Sequence, residues 1–180
     1  MRILSNQSLS GGLFQVFQES DTVDGIGVVS NNILTNLQEA MADEFLAMYQ
    51  YFTQVRVLED SQVKSYIIKE LKQHAMEEYK HAGMIADRII ALGGQIITDP
   101  SELYTHAGCG LIEPKNPNSL IIVQEAISGE NCAIQSYTEM ANLAYSIGDI
   151  ETYDMFQSII QDEIEHASDL SKLIIDYRLR

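Results

Sequence analysis

An all-α four-helix bundle with a long crossover connection between its second and third helices is the fold this sequence predicts. Apolar residues recur at helical spacing over four long segments, and Gly and Pro punctuation leaves two short joins and one long one. No alternating strand pattern competes. The chain's 180 residues, 46% hydrophobic with 11 Gly and 3 Pro, suit one packed domain and argue against a disordered or collagen-like chain.

The first helix is expected from Ser30 or Asn31, either of which can cap it, to Asp60, with a stripe of Leu34, Leu37, Met41, Met48, Val55 and Leu58. Asp60-Ser61 can cap a second helix whose stripe runs Ile67, Leu71, Ile85, Ile89 and Leu92. It should end at Gly93-Gly94, where a left-handed cap costs little. Residues 95–118 hold Pro100, Pro114 and Pro117 and read as a long connection, which must carry the chain the length of the bundle. A third helix runs from Ser119 to Ile147 and stops at Gly148; a fourth runs from about Asp149 to about Tyr177. Residues 1–30 lack a sustained period and contain Gly11, Gly12, Gly25 and Gly27. They are expected to be an N-terminal extension, with GGLFQVF as a short docked turn, leaving 31–178 as the helical domain.

Eleven Lys and Arg against 26 Asp and Glu give a net charge of −15, with no basic cluster. Phosphate-backbone binding needs cations that displace counterions, so nucleic acid is a poor partner and metal cations are more natural guests. The N-terminal apolar stretch breaks at Ser5, Asn6 and Gln7, and no run approaches the ~18 apolar residues of a membrane span. The expectation is a cytoplasmic protein without a membrane partner. Its two cysteines, Cys109 and Cys132, are too few for a disulfide framework and would ordinarily stay reduced there.

The most informative feature is an internal repeat. LQEAMADEFLAMYQY (37–51) aligns with VQEAISGENCAIQSY (123–137), sharing Gln-Glu-Ala, Glu44/Glu130, Ala47/Ala133 and Tyr51/Tyr137. EEYKHAGMIADRII (77–90) aligns with DEIEHASDLSKLII (162–175), sharing Glu78/Glu163, His81/His166 and Ala82/Ala167. Two helical hairpins are thus copies of one design, and the shared polar residues fall on the inward stripes. The stripes read Met41, Glu44, Met48; Leu71, His74, Glu78, His81, Ile85; Ile127, Glu130, Ile134; and Ile160, Glu163, His166, Leu170.

A buried ionised carboxylate costs several kcal/mol unless it is compensated. Four at one level, with only two repeated imidazoles and few cations in the chain, require positive charge from elsewhere, and two divalent metal ions supply it. In Glu-x-x-His the two side chains lie ~60° apart around the helix and ~4.5 Å along it, so both reach one ion. Oxygen donors with one imidazole per ion suit iron or manganese better than copper, while zinc usually recruits more nitrogen or sulfur.

Glu44, Glu78-Tyr79-Lys80-His81, Glu130 and Glu163-Ile164-Glu165-His166 together resemble the di-iron carboxylate pattern of the ferritin-like superfamily. The resemblance covers about 31–177 and implies a ferritin-like bundle. It implies that Glu78 and Glu163 bridge two irons per subunit, with Glu44 and His81 completing one ion and Glu130 and His166 the other; manganese or zinc would be substitutes. Rubrerythrins carry an extra Glu where this chain has Ala133, together with a Cys-rich tail, and bacterioferritins place a haem-ligating Met where it has Tyr79, so no haem is expected. Twenty-four-subunit cages use a fifth helix for which little chain follows His166. Ordinary Dps proteins build their iron site between subunits. The chain therefore most resembles the Dps-like group with a bacterioferritin-type centre, the thioferritins. That likeness implies a redox-active or disulfide-forming pair in Cys109 and Cys132, and a homo-oligomeric cage of 12 subunits.

The remaining polar and aromatic residues are read more plainly. Tyr51 and Tyr137 are packing aromatics that could also give an electron or hydrogen bond to the oxidised centre. His74 has Ile159 as its repeat partner and reads as a satisfied core histidine. Glu77 and Asp162 could hold the outer nitrogen of a histidine or lie in solvent or an interface; His106 has no readable role. Phe45, Tyr49 and Phe52, off the inward stripe, suggest a second buried face at a subunit contact. The implied function is a ferroxidase: Fe(II) is oxidised by hydrogen peroxide or dioxygen and Fe(III) is stored in the cage, protecting against oxidative stress. The alternatives are a manganese catalase-like or rubrerythrin-like peroxidase without storage and, disfavoured by charge, a DNA-binding Dps.

Overall fold

The computed structural model describes residues 20–58 and 64–178, and the side chains of 32–58 and 65–175. Five helices follow in order: α1 (Ser20–Val57), α2 (Lys64–Ala91), α3 (Pro100–His106), α4 (Ser119–Ser146) and α5 (Ile150–Arg178); no strand occurs among the described residues. The four long helices form the expected bundle, α1 packing along α2 and α4 along α5. None of them is long and apolar enough to cross a membrane.

Glycines end α2, where the crossover begins, and α4, where the chain turns into α5. Gly93 at φ +78° and Gly148 at φ +80° adopt the left-handed conformation. The following amides donate back to Ile89 O and Ala144 O, both at 2.9 Å, closing Schellman caps. Asn118 caps α4 by accepting from Leu120 N, and Asp149 caps α5 by accepting from Thr152 N at 3.0 Å. Arg88, near the end of α2, donates to Asp149 (2.6 Å), to Thr152 (2.8 Å) and to Glu151, so the second turn is tied to the first hairpin.

Two differences from expectation stand out. The first helix begins at Ser20, upstream of the expected cap at Ser30 or Asn31. Gly25 and Gly27 each weaken a helix by about 1 kcal/mol without forbidding it, so the glycines do not break it. The long connection contains α3, whose start is fixed by Pro100 at its first position and by Asp99 accepting from Ser101 N at 2.9 Å. Cys109 and Cys132 form a disulfide, as the family resemblance implied and against the reduced thiols that cysteine count alone suggested. The docked GGLFQVF turn and the Asp60-Ser61 cap lie outside the described residues.

The crossover lies as a strap along α1. Gln38 donates to Gln95 O (2.7 Å), Asp43 accepts from Cys109 N (2.8 Å) and Gly110 N (3.4 Å), and Gln50 accepts from Ile112 N (2.8 Å). One helix face thereby sets the register of a segment that has no ladder of its own. Beneath it the apolar core is split in two. One cluster centres on Leu37, Met41, Ile85, Ile89, Tyr137 and Phe156, the other on Val55, Ile67, Leu71, Ile122, Val123 and Leu170. A polar layer separates them.

Candidate metal centre

Each long helix contributes to that layer: α1 Glu44, α2 Glu78 and His81, α4 Glu130, and α5 Glu163 and His166. All six are buried, at most 4% exposed. His81 Nδ1 lies 3.1 Å from Glu78 Oε2, 3.1 Å from Glu163 Oε1 and 3.6 Å from Glu44 Oε2. His166 Nδ1 lies 3.0 Å from Glu163 Oε2, 3.2 Å from Glu78 Oε1 and 3.9 Å from Glu130 Oε1. Glu78 and Glu163 thus turn one oxygen to each imidazole, while Glu44 and Glu130 each serve one side. The ligand atoms fall into two sets, Glu44–Glu78–His81–Glu163 and Glu78–Glu130–Glu163–His166, each within 4.8 Å.

This crowding fits a cation better than hydrogen bonds. One imidazole nitrogen carries at most one hydrogen, yet each Nδ1 faces three carboxylates. Oε1 of Glu44, Glu78, Glu130 and Glu163 is buried without a hydrogen-bond partner. Burial, then the charge of Glu163, pushes the Glu44 and Glu130 carboxyls well above their usual range. Burial opposes charge on His166, but hydrogen bonds to Glu163 and Glu78 prevail and raise it to about 11; His81 is also raised, by Glu163, Glu44 and Glu78 against its burial. Glu163 is pulled to about 2, its burial outweighed by His166, His81 and Glu130. Without metal, protons provide the positive charge that the carboxylates need.

The outer nitrogens complete the arrangement. His81 Nε2 lies 3.1 Å from Asp162 Oδ2, and His166 Nε2 lies 2.9 Å from Glu77 Oε2. An outer N–H donating to a carboxylate leaves the Nδ1 lone pair facing inward, the tautomer a metal ligand needs. The grip is crossed: Asp162 on α5 holds the histidine of α2, and Glu77 on α2 holds that of α5. Both residues adopt the histidine-holding alternative of the two that the sequence left open.

A model of the ferritin-like domain matches residues 34–179. The chain belongs to the ferritin-like family. This ferritin-like chain is 32% identical over 155 residues to a DNA protection during starvation protein of Pyrococcus furiosus, covering 84% of this chain and 82% of that one. It is 28% identical over 136 residues to a bacterioferritin of Desulfovibrio desulfuricans, with 76% and 70% covered. Among solved structures it resembles the dodecameric thioferritin of Bacteroides fragilis, a bacterioferritin-related protein, at a TM-score of 0.79 and 31% identity, covering 87% of this chain and 95% of that one.

The other predicted residues of this ferritin-like chain surround the centre unequally. Tyr51, Cys109 and Tyr137 line a cavity of about 30 Å³ that reaches Glu44, Glu130 and Glu163 from beneath the strap. The disulfide pins that strap to α4 with the cysteine Cα atoms 5.8 Å apart. Tyr137 is fully buried, its hydroxyl donating to Ala40 O at 3.4 Å; burial, then the Glu44 charge, raises its pKa. Tyr51 meets His74 edge-on, with centroids 5.6 Å apart. His74 is not the satisfied core histidine expected: its Nδ1 is buried without a hydrogen-bond partner, and its ring stacks on His166 at 4.1 Å. A purely apolar slot would have suited its repeat partner Ile159; here neighbouring acids make a polar ring tolerable. His106 is exposed on α3.

Sequence reasoning missed Asp43 and Gln50, the residues that seat the strap. Burial raises Asp43 to about 6 against the backbone amides of Cys109 and Gly110 that lower it. The available signal was a break in the repeat: Asp43 aligns with Gly129 and Gln50 with Ser136.

Proposed function

We propose that this protein is a ferroxidase and iron store. Two Fe(II) ions, the substrate, are taken up by the two donor sets; Glu78 and Glu163 bridge them, Glu44 with His81 completes one position, and Glu130 with His166 the other. The observation that carries this reading is that Glu78 and Glu163 each offer one oxygen to each side. Adjacent ions give one electron each, so hydrogen peroxide takes two electrons and two protons and leaves as two waters, without a one-electron hydroxyl-radical product. Dioxygen is the second oxidant of the reading. The cavity beneath the strap has room for about two water-sized molecules, in keeping with a small oxidant.

Storage requires assembly, and the reading includes a homo-oligomeric cage of 12 subunits, as in the Bacteroides thioferritin. Tyr49 and Phe52, about half exposed and stacked at 6.3 Å, offer an apolar face for a subunit contact. The net charge of −15 attracts Fe(II) and disfavours DNA. A cytoplasmic setting, protection against oxidative stress and use of the cysteine pair in redox chemistry belong to the same proposal.

The test is anaerobic loading with Fe(II), then addition of peroxide or air, following ferric absorbance and particle size together. Two rapidly oxidised ions per subunit and a growing mineral inside a constant shell are expected. Failure to bind two ions, or undiminished oxidation in Glu78→Ala and His81→Ala, rejects it. Sustained dioxygen release from peroxide without mineral would select the catalase-like alternative.

A further inference from the structure

The helix faces opposite the strap carry a second polar feature. A cleft of about 190 Å³ between α2 and α5 is lined by the outer edges of His81 and His166, by Glu77 and Asp162, and by His74 and Asp169. His74 is 1% exposed, and its Nδ1 has no hydrogen-bond partner although the ring borders this cleft. A buried imidazole nitrogen left unpaired is destabilising unless something binds it. Glu70 lies one helical turn before His74 on α2, and Asp169 faces both from α5. One ligand atom from each of these three residues lies within 4.8 Å of the others.

The repeat strengthens the case. The positions equivalent to Glu70, His74 and Asp169 in the other half are Met155, Ile159 and Met84. The bundle is therefore content with apolar residues at this level, and the polar trio is a departure made in one half only. At present the two acids are occupied by the chain's own lysines: Lys172 Nζ lies 2.7 Å from Asp169 Oδ1, and Lys69 Nζ lies 3.7 Å from Glu70 Oε1. Both lysines are about 70% exposed and can swing into solvent without losing packing.

We propose that Glu70, His74 and Asp169 form a third divalent-cation site, separate from the paired centre and situated between the α2/α5 surface and His166. One imidazole with two carboxylates suits first-row divalent ions such as Fe(II), Mn(II), Co(II) and Zn(II). The site binds more weakly than the paired centre, because each ion must displace a lysine from its carboxylate. His74 also lies within reach of Glu130 and His166, so the competing assignment makes it an extra ligand of the paired centre.

Zn²⁺ titration of the metal-free protein by calorimetry separates these cases, with helical circular dichroism checking each variant's fold. Wild type is expected to take up three ions per subunit, two tightly and one weakly. Asp169→Asn and His74→Ala should each lose the weak ion and keep the tight pair within about twofold. Lys172→Ala should tighten the weak step by about two- to five-fold, the worth of an exposed ion pair. Saturation of wild type at two ions overturns the proposal, as does survival of the weak step in both Asp169→Asn and His74→Ala. Weakening of the tight pair in His74→Ala with no effect of Asp169→Asn also overturns it and assigns His74 to the paired centre. Loss of the tight steps in wild type with the weak step intact rejects the paired-centre reading and supports the third site.

Discussion

The crossed grip of Asp162 on His81 and Glu77 on His166 yields a graded expectation. Removing a carboxylate that orients a ligating imidazole costs about 10- to 100-fold in metal affinity, or about 1.4–2.7 kcal/mol. Where in that range each falls follows from solvent access. The Asp162 side chain is 49% exposed, so water can replace it at His81 Nε2. Glu77 is 28% exposed and 2.9 Å from its histidine, so its loss leaves a less hydrated nitrogen. Asp162→Ala is expected to weaken one binding step about tenfold, and Glu77→Ala to weaken the other towards 100-fold. Asp162→Asn and Glu77→Gln, which still accept from Nε2–H, should recover part of each loss. Competition against a fluorescent chelator for Co²⁺ under anaerobic conditions resolves the two steps. A reversed order, an equal shift of both steps in each variant, or unchanged affinity would refute the reasoning.

Reduction of Cys109–Cys132 releases a loop of sequence separation 23, for which chain entropy gives about 3.4 kcal/mol. At about 2.1 cal/mol/K per residue, that lowers Tm by up to about 9 °C in a melt at fixed protomer concentration; indistinguishable oxidised and reduced melts would remove the cross-link's assigned role. Metal affinity should rise with pH between 6 and 8, since His166, held at about 11, must lose its proton to bind, as must His81. Loading two ions in weak buffer should therefore release about two protons or more, and a pH-independent isotherm would contradict this. Gln54 is fully buried with both amide atoms unpaired, so Gln54→Met is expected to stabilise by about 1–2 kcal/mol in denaturant unfolding, a sign that a destabilised variant would reverse.

What was legible in the sequence was whatever the two hairpins share. Glu44, Glu78 and His81 recur as Glu130, Glu163 and His166, and pairing them needed only helical periodicity and the cost of unpaired buried charge. The crossover occurs once, so residues that touch it have no counterpart: Asp43 aligns with Gly129, Gln50 with Ser136 and Cys132 with Leu46. Those breaks mark the strap's footprint, but a break alone does not say what lies against it. Cys109 and Cys132 meet because Asp43 draws the amides of Cys109 and Gly110 onto α1, a tertiary contact that no local pattern encodes. The early start of α1 was obscured for a different reason, since glycine lowers helix propensity by an amount that neighbouring turns can absorb.

Under the proposed function, the sharing of ligands between the two donor sets also determines what metal loading would do to the fold. One donor set draws on α1, α2 and α5, the other on α2, α4 and α5, and each outer carboxylate orients the histidine of the opposite hairpin. Neither hairpin alone can assemble a complete set. Binding energy at this centre is therefore energy of docking one hairpin on the other, between two apolar clusters that the polar layer keeps apart. An ion that binds only the docked state, at 100 times its Kd, adds about 2.7 kcal/mol to stability. A buried layer of carboxylates that weakens the metal-free bundle thus becomes, on loading, a cross-link among all four long helices.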